Sequence, residues 1–437
     1  MVIYGPGRDP LAFFTNLART YGDVAHVQMA GEHLFLLTRP SLVRDVLMTN
    51  QRNFLKGRGL ERAKRFLGEG LLTSEGAVHL RQRRLLQPAF HRERIASYGA
   101  VMTDYADRVQ SKWADGATLD VAQEMMGLTL GVVGKTLFDA DVTSHVRSVG
   151  QALTAVIESF WTTMLPFADL LEHLPLPALR RSRRARIELD AIIYGLIAER
   201  RRAGEDCGDL LSMLLMAHDE DDGQGMSDQQ VRDEAMTIFL AGHETTANAL
   251  SWTWYLLSDA PEIEARLHEE VDRVLGDRQP TVADIARLVF TEQVVSEAIR
   301  LYPPAWIIGR RAINEYRVDD YVIPARALVL TSPYIAQRDA RFFTEPDRFV
   351  PDRWTPAFKA SLEPFAYFPF GGGSRRCIGE SFAWMELVLV VSSIARRWRL
   401  RLVPGHSVVP QPVVTLRMKH GLKMTAHHRI GARSPNR

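Results

Sequence analysis

The sequence predicts a mostly α-helical chain with a minor β region, and three observations carry that expectation. Residues 91–202 hold mostly amphipathic helix, with apolar residues recurring at helical spacing. Residues 227–258 are apolar nearly all round, the pattern of a helix buried through the middle of a fold. Strand-like alternation is confined to shorter stretches, residues 23–38, 316–332 and 399–426.

Composition narrows the function classes. With 437 residues, 46% of them hydrophobic and 24% charged, the chain can bury a core large enough to enclose a bulky cofactor. A net charge of +2 gives no footing for a nucleic-acid partner. Two cysteines, Cys207 and Cys377, exclude a disulfide framework and fit a reducing compartment. No run of about 18 apolar residues occurs and residues 1–10 do not form a signal peptide, so a cytoplasmic protein without a transmembrane anchor is expected.

Each element follows from local pattern. Residues 10–21 carry Leu11, Phe14, Leu17 and Ala18 at helical spacing and stop at Gly22. Two strands turn at Ala30-Gly31-Glu32, and Ser41 is placed to cap a helix reaching about Thr49. From Lys56 to Thr73 the pattern dissolves among Gly57, Gly59, Gly68 and Gly70, as in a surface loop or a mobile cover. Residues 75–90 form a basic helix with His79 and Arg83 on one face, the setting of a solvated surface or of an anion site. The helical region 91–202 breaks near Asp115-Gly116 and at Pro166. Its apolar break, residues 165–177, packs inward or makes a lip that meets oily molecules or a membrane. After an acidic loop at residues 219–223, Ser227 starts the long helix and Pro261 the next. Thr281 and Asp284 have the spacing of a capping box.

Chemistry concentrates in a few places. The loop Phe370-Gly371-Gly372-Gly373-Ser374-Arg375-Arg376-Cys377-Ile378-Gly379 delivers one cysteine to the start of an apolar helix, residues 379–397. Three glycines allow backbone to pass close to a bulky group. A cysteine at a helix start beside Arg375 and Arg376 is expected as the thiolate, the metal-binding form. Cys207, in an acidic setting, reads as structural. Within the long helix lies Ala241-Gly242-His243-Glu244-Thr245-Thr246, and polar residues in a buried helix need a reason. His243-Glu244 begins like the zinc motif His-Glu-x-x-His, but position 247 is Ala247, and there is no Cys-x-x-Cys. Glu297 and Arg300 precede Pro303-Pro304, and Pro351-Asp352-Arg353-Trp354 follows later.

The spacing Phe-x-x-Gly-x-Arg-x-Cys-x-Gly, met at Phe370, Gly373, Arg375, Cys377 and Gly379, resembles the haem-binding loop of the cytochrome P450 family. Five such motifs fall in family order across residues 10–429. The resemblance implies the P450 fold: one mostly α domain over residues 1–437, with a minor β region, enclosing haem b. Cys377 is then the axial iron ligand, with Phe370, Gly371, Arg375 and Gly379 of the loop, and Ala241 on the long helix, against the cofactor. His79, Arg83 and Arg310, or Arg311 beside it, would hold the propionates. Thr245 would face the sixth coordination position and Glu244 would relay protons, while Glu297, Arg300 and Arg353 would form a structural triad.

The same resemblance implies monooxygenation: one atom of dioxygen enters an apolar small molecule as a hydroxyl group and the other leaves as water. Electrons would come from a separate ferredoxin or flavodoxin with its reductase, so that NAD(P)H acts only indirectly, and Arg376 and Arg84 would meet that acidic partner. The segment from Lys56 to Thr73 matches the cover of the substrate pocket. Pocket residues would be Leu72, Met236, Leu240, Ala241, Trp306, Ile307, Ile308 and Val414, an oily set suited to a terpenoid or fatty-acyl chain. The rivals are a peroxygenase driven by peroxide, against which Glu244 and Thr245 argue, and a non-enzymatic haem-thiolate sensor, for which no effector domain is visible.

Overall fold

A computed structural model describes residues 9–29, 31–139, 177–204, 209–218 and 223–429. Ala30, Cys207, residues 219–222 and the break before Pro177 lie outside the described residues, so the expectations placed on them are not addressed. Helix α1 (Pro10–Tyr21) buries Leu11 and Phe14 and ends at Gly22, whose φ of 78° suits glycine. Strands β1 (Val24–Met29) and β2 (Glu32–Leu37) pair antiparallel. They join β3 (Phe54–Lys56), β5 (Ile308–Ala312) and β8 (Leu328–Thr331) in a sheet of order β1-β2-β8-β5-β3.

Two local expectations need correction. Ser41 is not a cap: α2 (Pro40–Arg44) starts from Arg39 with Pro40 at its first position, where the fixed φ of proline initiates the helix. Its continuation, residues Asp45–Thr49, is a π-turn. The segment from Lys56 to Thr73 is not patternless either. It contains α3 (Arg58–Leu67), which turns Ala63 and Leu67 into the core and stops at Gly68, φ 72°.

Helices α4 (Gly76–Leu86) and α5 (Arg92–Gln110) follow; then come β4 (Thr118–Asp120) and α6 (Val121–Phe138). Next are α7 (Pro177–Ala203) and α8 (Leu210–Met216). The long helix is α9 (Asp228–Ser258). Ser227 caps it, accepting from Gln230 N at 3.2 Å while Gln230 Oε1 accepts from Ser227 N at 3.0 Å. Helix α9 packs against α6, α7, α10 (Pro261–Leu275), α11 (Val289–Leu301) and α14 (Glu380–Arg397). Its Trp252 and Trp254 are almost wholly buried, and each large side chain so placed contributes about 2–3 kcal/mol of hydrophobic stabilisation. The expected capping box at Thr281 forms, but on a 3₁₀ turn, Val282–Arg287.

Strands β6 (Tyr316–Val318) and β7 (Tyr321–Ile323) make a hairpin before β8, and two short helices, α12 (Pro333–Ala336) and α13 (Pro356–Ser361), lie beyond it. After α14 come β9 (Trp398–Leu402), β10 (Pro410–Pro412), β11 (Leu416–Met418) and β12 (Lys423–His428). Among the described residues no helix is long and apolar enough to cross a membrane.

Candidate haem-thiolate site

The cysteine loop is held before any cofactor is considered. Cys377 N donates to Phe370 O at 2.9 Å, which closes the loop on itself. Ser374 N and Oγ both donate to Gln51 Oε1 at 2.8 Å, and the Phe370 ring lies 5.6 Å from that of Trp384. The glycines answer to protein neighbours: at Gly372 a Cβ would fall 2.4 Å from the Phe365 ring. At Gly373, φ 68°, it would fall 2.1 Å from Leu47 O. Gly379 caps α14, and Gly371, φ 71°, faces Ile308.

The expected thiolate needs a different cause from the neighbouring arginines. Arg375 donates to Phe54 O at 2.8 Å and is paired with Glu75, while Arg376 is paired with Glu380 at 2.5 Å. Burial pushes the Cys377 thiol up, against the lowering by the Gly379 N–H, Arg83 and Arg376. Yet the Cys377 residue is exposed. Metal coordination is what would hold it deprotonated.

Beside the loop, cations gather in excess. Lys56 on β3 and Arg310 on β5 are direct cross-strand partners, both buried, an arrangement of like charges that is unfavourable by itself. His79 is also buried; burial, then Lys56, Arg375, Arg83 and Arg310, lower its pKa to about 4. Burial and the neighbouring arginine Arg375 bring Arg310 down to about 10, and burial brings Lys56 to about 7. Lys56 Nζ donates to Leu71 O at 2.8 Å and Ser74 O at 2.5 Å, and Glu75 lies on the same cluster. Arg310 and Arg311 differ in their partners: Arg311 is paired with Glu61 at 3.0 Å, whereas Arg310 donates to the backbone Gly309 O at 3.0 Å. Arg83 points elsewhere, to Arg376 O at 2.7 Å, and lines an open cleft of about 390 Å³ with Ala77, Leu80, Arg84 and Gln87. Sequence reasoning missed Lys56 and Glu75, since only the β3–β5 register brings Lys56 to Arg310.

The hexad on α9 divides its faces. His243, Glu244 and Thr246 are buried, whereas Ala241 is exposed and Leu240, Gly242 and Thr245 are half-buried, so one strip of an interior helix is less covered by protein than the rest. Thr245 Oγ1 donates back to Ala241 O at 2.7 Å, and α9 stays α-helical throughout. Glu244 looks the other way: its Oε1 accepts from Thr415 Oγ1 at 2.5 Å and Arg417 Nε at 2.6 Å.

Two further clusters frame the strip. Glu297 is wholly buried and bonded by Arg300 Nη2 and Nε at 2.8 Å, Arg353 Nε at 3.0 Å and Trp354 Nε1 at 2.9 Å. The loop after α3 is not loose: Asp233 Oδ2 accepts from Glu69 N at 2.9 Å and Glu234 Oε2 from Leu71 N at 2.8 Å. Gly68 and Gly70 let it approach, because a Cβ there would lie 2.1 Å from the Asp233 carboxyl and 2.4 Å from Thr237 Oγ1.

Of the expected pocket residues, Leu72 and Leu240 are half-buried against the main core, Ile308 adjoins Gly371, and Val414 is exposed beside Thr415. Trp306 and Ile307 belong instead to the cluster under α1, with Trp306 Nε1 donating to Val413 O at 3.3 Å, and Met236 is sealed in the main core. Both tryptophan and isoleucine there are drawn to the apolar side of the N-terminal sheet.

An exposed cysteine, a buried surplus of cations suited to two carboxylates and a small-residue strip on an interior helix fit a haem-thiolate protein. The comparisons agree. The family model for Cytochrome P450 matches residues 2–424. Cyclooctatin synthase of Streptomyces melanosporofaciens is 41% identical over 411 residues, 94% of this chain and 89% of that protein. Cyclooctat-9-en-7-ol 5-monooxygenase of the same organism is 38% identical over 399 residues, 91% and 86%. The solved cytochrome P450DA heme domain superposes with a TM-score of 0.87 at 28% identity, covering 96% of this chain and 93% of that one. The chain belongs to the cytochrome P450 family. It is a haem-dependent monooxygenase that takes a substrate, dioxygen and a redox partner.

Proposed function

We propose that this enzyme hydroxylates an apolar terpenoid-type molecule, with electrons from a ferredoxin or flavodoxin reduced by an NAD(P)H-dependent reductase. The observation that carries the reading is the accessible strip Leu240, Ala241 and Thr245 on an otherwise buried α9. The terpenoid class is supported by the likeness to cyclooctatin synthase and cyclooctat-9-en-7-ol 5-monooxygenase, at 41% and 38% identity.

Cys377 would hold the iron, His79, Arg310, Lys56 and Arg375 would receive the two carboxylates, and Gly371 and Ala241 would leave room for the ring. Haem iron with a thiolate ligand supplies the activation of dioxygen. The chain's own part is to exclude water, orient the substrate and deliver protons. Thr245 Oγ1 holds its proton on Ala241 O and is the hydroxyl on that strip, so it is placed to pass a proton towards a reacting oxygen. Glu244 can join that route only by leaving Arg417. The cleft beside Arg83 and Arg84, with Arg376 near it, offers an acidic redox partner a basic face.

The test is spectral and then catalytic. Reduced protein with carbon monoxide should give the band of thiolate-ligated haem, lost in Cys377→Ser and kept in Cys207→Ser. A panel of cyclic terpenes and fatty acids is then screened for spectral shift and product, with reductant or with peroxide. A band that survives Cys377→Ser overturns the ligand assignment; fatty-acid products alone overturn the terpenoid class, and full turnover with peroxide overturns the need for a redox partner.

A further inference from the structure

Helix α7 carries eight arginines against three carboxylates, Glu188, Asp190 and Glu199, a surplus of five positive charges in a chain whose net charge is only +2. At its C-terminal end Arg200 pairs with Asp209 at 2.8 Å and Arg201 with Asp228 at 2.6 Å. At its other end Arg186 donates to Arg65 O at 2.7 Å. Arg180, Arg181, Arg183 and Arg184 are all exposed, and among the described residues none has a carboxylate within ion-pair distance. No acidic residue in the first turn complements the positive end of the helix dipole. Four cations without a carboxylate partner among the described residues repel one another, so the packing of those residues gives no reason for them.

Their neighbours on the helix supply one. Arg180, Arg184, Ile187, Ala191, Tyr194 and Ala198 lie at successive steps of four and three, on one face within about 40° of a line, and all six are exposed. Ile187 is 62% exposed and Tyr194 41%. The stripe is cationic at one end and apolar beyond it, contains no carboxylate, and is flanked by Glu188 and Glu199. The opposite face, including Ala185, Leu189, Ile193 and Ile197, is buried in the protein.

We propose that this face of α7 docks the enzyme on an anionic lipid surface, with the arginines at the headgroups and Ile187 and Tyr194 entering the acyl boundary. Basic residues at one end of an apolar stripe on a single helix suit a flat, fluid anionic partner better than a shaped protein surface. An apolar substrate dissolves in such a surface, and docking would bring the enzyme to it. The docking itself does not depend on which substrate is oxidised and is measured without one.

The haem-loaded full chain is sedimented with vesicles of phosphatidylglycerol and phosphatidylcholine, and with phosphatidylcholine alone. Binding is expected to the first only, and to weaken with salt. Arg180→Gln/Arg184→Gln should reduce partitioning on the order of tenfold or more while leaving the melting temperature unchanged or higher. Arg44→Gln/Arg52→Gln, which removes the same charge elsewhere, should bind as the parent does. An Ile187→Trp variant should be quenched by brominated lipid in the anionic vesicles. Equal losses in the two double variants, or absence of binding to anionic vesicles, overturns the proposal and leaves the patch to an acidic protein surface. Binding of the Ile187→Trp variant without quenching of its introduced indole overturns the insertion of the apolar stripe.

Discussion

Arg417 Nε stands 2.6 Å from Glu244 Oε1, and through that pair β11 holds the acidic residue adjoining Thr245. Glu244 is 2% exposed at its side chain and Arg417 14%, so solvent screens the pair little. Thr415, next to the exposed Val414, completes the grip, and Asn248 donates to its hydroxyl at 3.1 Å. Removing one partner of a buried ion pair strands the other. Arg417→Ala should cost about 3 kcal/mol, read from the denaturant midpoint, and Arg417→Lys much less. An alanine variant as stable as the parent would show that Glu244 finds another partner.

Thr245→Ala should fold and bind haem as the parent does, since it removes one hydroxyl and one methyl group from a half-buried position. Consumption of reductant and dioxygen should continue, with much of the flux diverted to hydrogen peroxide. Thr246→Ala should uncouple less, because Thr246 is buried and donates to Gly242 O at 3.1 Å instead of facing the strip. The measurement is product per reductant, with peroxide assayed beside it. Full coupling in Thr245→Ala removes that hydroxyl from the proton route.

Burial raises the Glu234 carboxyl to about 8 from its ordinary 4.5, opposed by the Leu71 N–H. A carboxyl whose folded value lies above its unfolded value keeps a proton that the unfolded chain releases. The contribution of this group to stability is therefore full below about pH 4.5 and is lost as pH rises towards 8. Glu234→Gln keeps an oxygen for Leu71 N and removes the titration. Its stability should be flatter across that window and higher than the parent's at pH 8, by a few kcal/mol at most. Parallel pH profiles for the two proteins would show that Glu234 stays ionised in the fold.

At Glu297 three donor side chains from α11 and the residues after Val350 meet one carboxylate with no exposure. Glu297→Ala leaves Arg300, itself wholly buried, without its anion, and should cost roughly 3–5 kcal/mol. Glu297→Gln should lie between. Chemical unfolding measures this directly, and yield of haem-loaded protein follows it. Retained stability in the alanine variant would mean that the carbonyls of Gln337 and Pro346, 2.8 and 2.6 Å from Arg300 Nη1, suffice.

What the sequence disclosed was local. The bounds of α1, the Ser227 cap and the glycine-rich loop are written in adjacent residues, and each forms where the pattern puts it. Helix α3 escaped because its arginines and flanking glycines obscure the two inward positions, Ala63 and Leu67. The partners of Glu244 escaped for another reason: Arg417 is 173 residues away, and no short pattern reports a contact that the return of β11 creates. The excess charge around His79 was half legible, because Arg310 and Arg375 stood out while Lys56 became relevant only through its pairing across β3 and β5. Trp306 misled because an aromatic residue after Pro303-Pro304 suits a pocket and an apolar core equally well.

The two hydrogen bonds by which the backbone N–H groups of Glu69 and Leu71 are fastened to Asp233 and Glu234 bear on how such an enzyme can change its diet. With Gly68 and Gly70 pressed against α9, neither position accepts a side chain without parting the contact. If Leu72, Leu240 and the exposed Val414 line the substrate pocket, variation in what is oxidised falls to those positions, which carry no glycine pressed against a neighbour. A library randomised at those three positions should keep its folded fraction while its products diversify, whereas one randomised at 68 and 70 should lose folded protein first.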